Sequence, residues 1–343
     1  MKKIILTGGG SCGHIMPNIA LIPELKKHYD DIIYVGEDKG FEKKIATDNG
    51  LKFITLNSIK LDRAKLYKNL KIPFVLPVSV YKACKILNDI KPDCVFSKGG
   101  YVGLPLGIAC KIKDVPLIIH ESDNSLGVAN KICVNWAKNI IVGNENLCKN
   151  QTKFINLGNP IRDEILLGNA TIARHELNIT RNKPNILIIG GSLGAKDIND
   201  VITNNLNALV DKYNIIHICG KGKKSNIIME GYYPIEFVKN IGDYYALADL
   251  IISRSGAGAI AEIKALGKRA ILIPLPNNCS RGDQVENAKN SGLVMIEQEN
   301  LTYETLANLI NITLANKPIP SNYDILTSRK IVDVILNASQ KND

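Results

Sequence analysis

No apolar run in this 343-residue sequence approaches the roughly 18–20 residues that a helix needs to cross a bilayer. The basic start, Met1-Lys2-Lys3, leads only into Ile4-Ile5-Leu6-Thr7 before a glycine cluster, too short a core for a secretory signal. Aromatic residues make up 6% of the chain, with one Trp, and no segment has the form of a zinc finger or an RNP motif, so nucleic acid is a poor partner. The eight cysteines are scattered, the nearest two being ten residues apart, which disfavours a disulfide scaffold or a CxxC-type metal or redox site. There is no Asp-x-Asp and no His/Asp/Glu cluster with metal-ligand spacing, so no metal is expected. What is present is ordinary for a globular protein: 45% hydrophobic and 22% charged residues. The net charge of +10 is uneven. Residues 1–160 hold 23 Lys and Arg against 14 Asp and Glu, whereas 161–343 hold 20 against 19. A basic half beside a neutral one suggests that a face of the first half meets something anionic.

Short β-branched runs alternate with amphipathic stretches, the pattern of crossover units on a parallel sheet. Strands are expected at Lys3–Thr7, Ile32–Val35, Lys52–Leu56, Cys94–Ser97, Leu117–His120 and Asn139–Val142. A second set is expected at Asn185–Ile189, Ile215–Ile218, Ile235–Val238, Leu250–Ser253, Ala270–Ile273 and Val294–Ile296. Helices fit Pro17–Lys27, Leu104–Lys111, Lys196–Leu209, Ala257–Leu266 and Tyr303–Ala315. The pattern restarts: Lys3–Thr7 feeds Gly8-Gly9-Gly10-Ser11-Cys12-Gly13, and Asn185–Ile189 feeds Gly190-Gly191-Ser192-Leu193-Gly194. The expected fold is therefore α/β, with two Rossmann-like doubly wound domains, 1–160 and 161–343, joined near Gly158–Arg162. Such pairs bind ligand in the crevice that their strand carboxyl ends face.

The motifs fall at those strand ends. Gly8-x-Gly10-x-x-Gly13 matches a dinucleotide fingerprint, in which glycines let backbone N–H groups approach a pyrophosphate. Glu37 sits where a ribose-binding acid follows the second strand, so an NAD-dependent dehydrogenase is one reading. His14 follows the last glycine, and Pro17 suits a first helical position. The imidazole there would either deprotonate a hydroxyl or merely cap the helix. Lys98-Gly99-Gly100-Tyr101-Val102-Gly103-Leu104-Pro105 and His120-Glu121-Ser122-Asp123 follow two further strands. His120 and Glu121 would position a sugar hydroxyl or form an acid–base pair, or His120 is a buried structural histidine.

In the second half, Gly190–Ala195 would hold phosphate through N–H groups and the Ser192 hydroxyl. Ser255-Gly256-Ala257-Gly258-Ala259-Ile260-Ala261-Glu262 would bring a helix start to a diphosphate and set Glu262 on ribose hydroxyls. Ser280-Arg281-Gly282-Asp283-Gln284 offers carboxylate and amide groups to a sugar. A pyrophosphate leaving group would then be neutralised by helix N-termini and basic side chains. Residues 60–91 contain eight basic and two acidic residues, interleaved with Leu66, Tyr67, Leu70, Ile72, Phe74, Val75, Leu76 and Val80. This reads as a surface resting on an anionic bilayer or as an ordinary amphipathic helix.

Seven motifs in one order, GGGSCGH, KGGYVGLP, HESD, GNPIR (Gly158–Arg162), GGSLGA, SRSGAGAIAE and SRGDQ, closely resemble the MurG family of peptidoglycan glycosyltransferases over nearly the whole chain. The resemblance implies a GT-B fold without an essential metal or any other cofactor, with a last helix, about 325–340, that packs back on the N-terminal domain. It implies inverting transfer of GlcNAc from UDP-GlcNAc to the MurNAc C4 hydroxyl of the undecaprenyl-linked acceptor lipid I, giving lipid II. His14 is then the general-base candidate, with Glu121 next. Ser11, Cys12, Gly13, Asp123, Arg162, Ser192, Val238, Ala257, Gly258, Ala259, Glu262, Asp283 and Gln284 would meet UDP-GlcNAc. Gly10, Ser11, Gly13, Gly100 and Tyr101 would receive the acceptor diphosphate, and Lys65, Lys68, Leu70, Lys71, Phe74 and Leu76 would face the anionic inner membrane surface. The enzyme would work as a peripheral protein on its cytoplasmic face. Two positions depart from the pattern: Cys12 stands where the family has Gly or Ala, and Asp123 where another branch has Asn. A dehydrogenase, or a non-catalytic relative that only binds lipid, are the rival readings.

Overall fold

The computed structural model describes every residue except 10–11, 39–40, 62–65, 149–151, 192–193, 239, 277–281 and 341–343, together with the side chains of Cys12, Phe41, Leu66 and Lys68. The chain forms two compact units, Met1–Arg162 with Asp324–Asp343, and Asp163–Tyr323. Unit 1 runs β1 (Lys3–Thr7), α1 (Cys12–Leu25), β2 (Asp31–Gly36), α2 (Phe41–Asp48), β3 (Lys52–Thr55), α3 (Ile72–Ile90), β4 (Cys94–Ser97), α4 (Gly100–Lys113), β5 (Leu117–Glu121), α5 (Val128–Cys133), β6 (Asn139–Val142) and β7 (Phe154–Asn156). Unit 2 follows with α6 (Asp163–Leu166), α7 (Ala170–Glu176), β8 (Asn185–Ile189), α8 (Lys196–Asn204), α9 (Leu206–Lys212), β9 (Asn214–Ile218), β10 (Tyr232–Ile235), α10 (Ile241–Leu247), β11 (Leu250–Ser253), α11 (Ala257–Ala265), β12 (Ala270–Leu272), α12 (Asp283–Ser291), β13 (Val294–Met295) and α13 (Tyr303–Ala315). The last helix, α14 (Thr327–Ser339), belongs to unit 1.

Both sheets are parallel, in the orders β3-β2-β1-β4-β5-β6-β7 and β10-β9-β8-β11-β12-β13. In unit 1, strand alternation sorts side chains to two cores. Ile4, Leu6, Cys94 and Phe96 face α1 and α14, whereas Ile5 and Val95 face the layer holding Ala83, Leu87 and Leu106. Burial on both faces explains why the strands read as unbroken Ile/Val runs. Ile331, Val332 and Ile335 of α14 are fully buried in the first of these cores. At about 1.5–3 kcal/mol for each buried aliphatic side chain, they tie the end of the chain to unit 1.

Three expectations need correction. The strand expected at Ile235–Val238 is Tyr232–Ile235. It contains Pro234, which is tolerated because β10 pairs only with β9, at the sheet edge. Pro17 lies inside α1 rather than at its start, because the helix already begins at Cys12. The helix expected over Lys196–Leu209 is broken at Asn205, where φ −124° and ψ 22° lie outside the helical range. β7 had no counterpart among the expected strands.

Candidate active site

In each sheet the strand order reverses beside the first strand of its unit. Ligand sites in open α/β sheets form at the carboxyl ends flanking that reversal. In unit 1 the flanking strands are β1 and β4, and in unit 2 they are β8 and β11. The four turns that follow them carry most of the glycine-rich motifs.

The β1–α1 turn is held from three sides. Asn18 Nδ2 donates to the Thr7 carbonyl at 3.2 Å, Tyr34 OH to the Gly8 carbonyl at 2.6 Å, and the Lys98 N–H to the Thr7 carbonyl at 2.9 Å. Gly100 opens α4 at φ +79°, and a Cβ there would stand 2.4 Å from the Gly9 carbonyl oxygen. The two turns therefore pack backbone against backbone, and a side chain at Gly100 would force them apart. His14 lies in the first turn of α1, half-buried, with Nδ1 2.8 Å from the Gly9 carbonyl oxygen. A carbonyl only accepts, so Nδ1 carries the proton and the basic lone pair is on Nε2. Gly13 is exposed beside it. Gly10 and Ser11 lie outside the described residues, as does the Cys12 side chain.

Tyr101, half-buried, donates to Glu37 Oε2 at 2.5 Å. Burial, and then that carboxylate, push its phenol well above the ordinary range. Glu37 thus braces α4 against the end of β2. Glu121 closes the β5–α5 loop: its carboxylate accepts from the Asp123 N–H at 3.3 Å, the Gly127 N–H at 2.8 Å and Asn130 Nδ2 at 3.0 Å. Asp123 is half-buried in that loop, and Arg162 is the half-buried last residue of the first segment of unit 1. His120 is fully buried and Lys98 nearly so, and they hydrogen-bond each other. Of this pair, Lys98 was missed as a site residue. A lysine beside glycines reads as a surface group, and only the adjacency of β4 and β5 brings it to His120.

In unit 2, α11 starts at Ala257 behind Gly256. A Cβ at Gly256 or Gly258 would meet nothing within 4 Å, so open space lies beside the start of α11. Glu262, further along α11, has Oε2 3.1 Å from the hydroxyl of Tyr245, which is buried. Tyr245 was also missed: nothing in its local sequence signals a contact seventeen residues ahead. Gln284 Oε1 accepts from the Leu275 N–H at 3.1 Å, leaving its amide NH2 to donate elsewhere, and its carbonyl accepts from Ser255 Oγ at 2.8 Å. Asp283 opens α12 after Gly282, and Val238 lies half-buried three residues beyond β10. Ser192 lies outside the described residues. Among the described residues no group of three or more His, Cys, Asp or Glu could hold a metal ion.

On α3, Ser79, Ala83, Leu87 and Ile90 are buried, while Phe74, Val78 and Tyr81 are 78%, 52% and 73% exposed. Spaced four and three residues apart, these three share one helical face. Leu70, in the 3₁₀ helix Leu66–Lys71 before α3, is 74% exposed, and Lys71, Lys82 and Lys85 are exposed as well. Leu76 is half-buried, Lys65 lies outside the described residues and the Lys68 side chain is not described. Among the described residues no helix is long and apolar enough to cross a membrane.

Two parallel α/β units with glycine-rich turns at both strand-order reversals have the architecture of the GT-B fold. Solved structures share that fold: an Acinetobacter baumannii MurG (TM-score 0.75, 23% identity, 98% of this chain and 100% of that one) and the calicheamicin glycosyltransferase CalG4 (TM-score 0.67, 13% identity, 99% and 95%). Residues 4–142 match the glycosyltransferase family 28 N-terminal domain and residues 185–327 its C-terminal domain, and the chain belongs to that family. Among its relatives are proteins named UDP-N-acetylglucosamine–N-acetylmuramyl-(pentapeptide) pyrophosphoryl-undecaprenol N-acetylglucosamine transferase. The one from Lachnospira eligens is 38% identical over 100% of this chain and 99% of its own. The one from Clostridium botulinum (strain Langeland) is 41% identical over 94% of each.

Proposed function

We propose that this chain transfers N-acetylglucosamine from UDP-GlcNAc to the C4 hydroxyl of MurNAc in undecaprenyl-pyrophosphoryl-MurNAc-pentapeptide, making lipid II for peptidoglycan. The observation that carries the reading is the orientation of His14. Its Nδ1–H is committed to the Gly9 carbonyl, in a chain whose full-length relatives are named for this reaction. Nε2 takes the proton from the MurNAc hydroxyl as its oxygen attacks the anomeric carbon of GlcNAc. The bond from that carbon to the β-phosphate oxygen breaks, UDP leaves with the electron pair, and the α linkage becomes β. Glu121 serves instead as the brace of the β5–α5 loop, since three N–H donors already converge on its carboxylate.

Unit 2 holds the donor. The open start of α11 faces the diphosphate, with the helix dipole and unsatisfied N–H groups stabilising its charge. Glu262 accepts from the ribose hydroxyls, the Gln284 amide and Asp283 meet the sugar, and Val238 lies by the uracil. Ser192 completes the donor contacts of this unit. Unit 1 receives the acceptor, its diphosphate meeting Gly10, Ser11, Gly13, Gly100 and Tyr101. The exposed apolar and basic face of α3 rests on the anionic cytoplasmic leaflet, which makes the enzyme peripheral.

The test is a transfer assay with labelled UDP-GlcNAc and a short-chain lipid I analogue in the presence of EDTA. Disaccharide and UDP in equal amounts are expected. Absence of both, despite measurable UDP-GlcNAc binding, would sink the acceptor assignment, and absence of donor binding the whole reading.

A further inference from the structure

Lys98 follows β4 directly and is 2% exposed. An ammonium buried this deeply ordinarily contacts a carboxylate. Here Nζ reaches two neutral groups, Ser122 Oγ at 2.5 Å and His120 Nδ1. The His120 Nε2 lies 3.0 Å from the Gly158 carbonyl oxygen, so it carries the ring proton and donates, while Nδ1 accepts from lysine. Burial, and then the adjacent lysine, hold the imidazole well below its ordinary range, and it stays neutral. On its other side Lys98 meets the turn that bears His14. A Cβ at Gly8 would stand 2.8 Å from Lys98 Cβ and 3.0 Å from the His14 carbonyl oxygen. One side chain therefore joins the β1–α1 turn, the β5–α5 loop and, through His120, the turn at Gly158.

Resting on the transferase reading above, we propose that Lys98 is a positioning residue. Its protonated side chain pins the His120 ring and the Glu121–Gly127 loop against the turn that carries His14, and transfer requires that proton. The groups facing Lys98 support a charge-dependent role. From β5 come neutral His120 and the Glu121 carboxylate, and from the loop Ser122 and Asp123; Asn130 of α5 donates to that same carboxylate, and the β1–α1 turn presents backbone at Gly8 and the His14 carbonyl. At the start of α4, the Tyr101 phenol is given to Glu37. Burial draws the Lys98 ammonium down to about 8, with Glu121 and Asp123 opposing that fall.

The experiment measures kcat and donor KM from about pH 6 to pH 10 for wild type, Lys98→Met and Lys98→Arg, using the short-chain lipid I analogue. It is joined to NMR of ¹⁵N-histidine-labelled protein. Wild-type kcat should fall above pH about 8 with donor KM unchanged. Lys98→Met should lose about 10–100-fold in kcat and show no such fall. Lys98→Arg, whose guanidinium stays charged, should recover part of the loss and move the fall to higher pH. A Lys98→Met enzyme within about threefold of wild type, or an alkaline limb that is the same in all three proteins, would overturn the proposal. If circular dichroism finds Lys98→Met unfolded, Ser122→Ala takes its place. Loss of that acceptor should move the limb to lower pH, and an unmoved limb counts against Lys98. The His120 Nδ1 resonance should shift with a midpoint about 8 in wild type. Its failure to shift refutes the Lys98–His120 link even where transfer is intact, whereas a shift without transfer at any pH places the fault in the transferase reading.

Discussion

His14 and Gly9 are joined by a hydrogen bond of 2.8 Å from the ring Nδ1 to the carbonyl oxygen of the turn preceding the helix. The bond sets the tautomer and leaves basicity on Nε2, the atom the proposed mechanism uses. His14→Ala should lower kcat by about 10²–10⁴-fold while changing donor KM little, the usual contribution of a positioned general base. An effect under about tenfold in the transfer assay would assign proton removal to another group.

Glu262 and Tyr245 make a second such pair, at 3.1 Å. The phenol orients a carboxylate whose proposed task is to accept from ribose. Glu262→Ala should weaken donor binding directly. Tyr245→Phe, which keeps the ring, should raise the KM for UDP-GlcNAc about 3–10-fold with kcat within about twofold, less than the full strength of a hydrogen bond to a charged group. A normal KM in Tyr245→Phe would show that Glu262 holds its position without the phenol.

The fold was legible because both sheets are buried on both faces. Runs such as Asn185-Ile186-Leu187-Ile188-Ile189 can be little else when a glycine turn follows. Legibility failed where local chemistry and tertiary context disagree. Pro234 argues against a strand, yet an edge strand accepts it, and Pro17 suggests a helix start, yet the helix begins a turn earlier. The glycine turns with His14, Glu262 and Gln284 could be read from their place after strands. Lys98 and Tyr245 could not, because what they do depends on groups brought to them by strand order and helix packing.

Unit 2 carries its own pH sensor of stability. His217 on β9 is fully buried, with Nδ1 3.0 Å from Tyr232 OH and Nε2 3.0 Å from Asn199 Oδ1. Burial lowers its ring from 6.5 to about 4. The unfolded chain therefore binds a proton in that interval that the folded chain refuses. The stabilisation is complete above pH about 6.5 and is lost as pH falls through about 4, amounting to about 3 kcal/mol at most. Melting temperatures of wild type and His217→Gln, measured from about pH 7 to pH 4, should converge with acidification. The variant should start lower, having lost fitted partners, but fall less steeply. Parallel curves would show that this histidine does not contribute to the acid loss.

Attachment to membrane should divide into an apolar and an electrostatic part on the same helix. Phe74, Val78 and Tyr81 share the exposed face of α3, with Lys82 and Lys85 beside them. A basic residue near an anionic surface contributes about 1 kcal/mol, so Lys82→Glu with Lys85→Glu should weaken co-sedimentation with phosphatidylglycerol vesicles by at least tenfold, and raised salt should do the same to wild type. Phe74→Ser with Leu70→Ser should weaken binding to those vesicles at every salt concentration, because what it removes is hydrophobic insertion. Neither double variant should alter transfer to a short-chain acceptor in solution, since none of these residues belongs to the sites at the strand ends. Vesicle binding that survived both would mean that another face of the protein meets the bilayer. Loss of transfer in solution would mean that α3 supports the acceptor site directly.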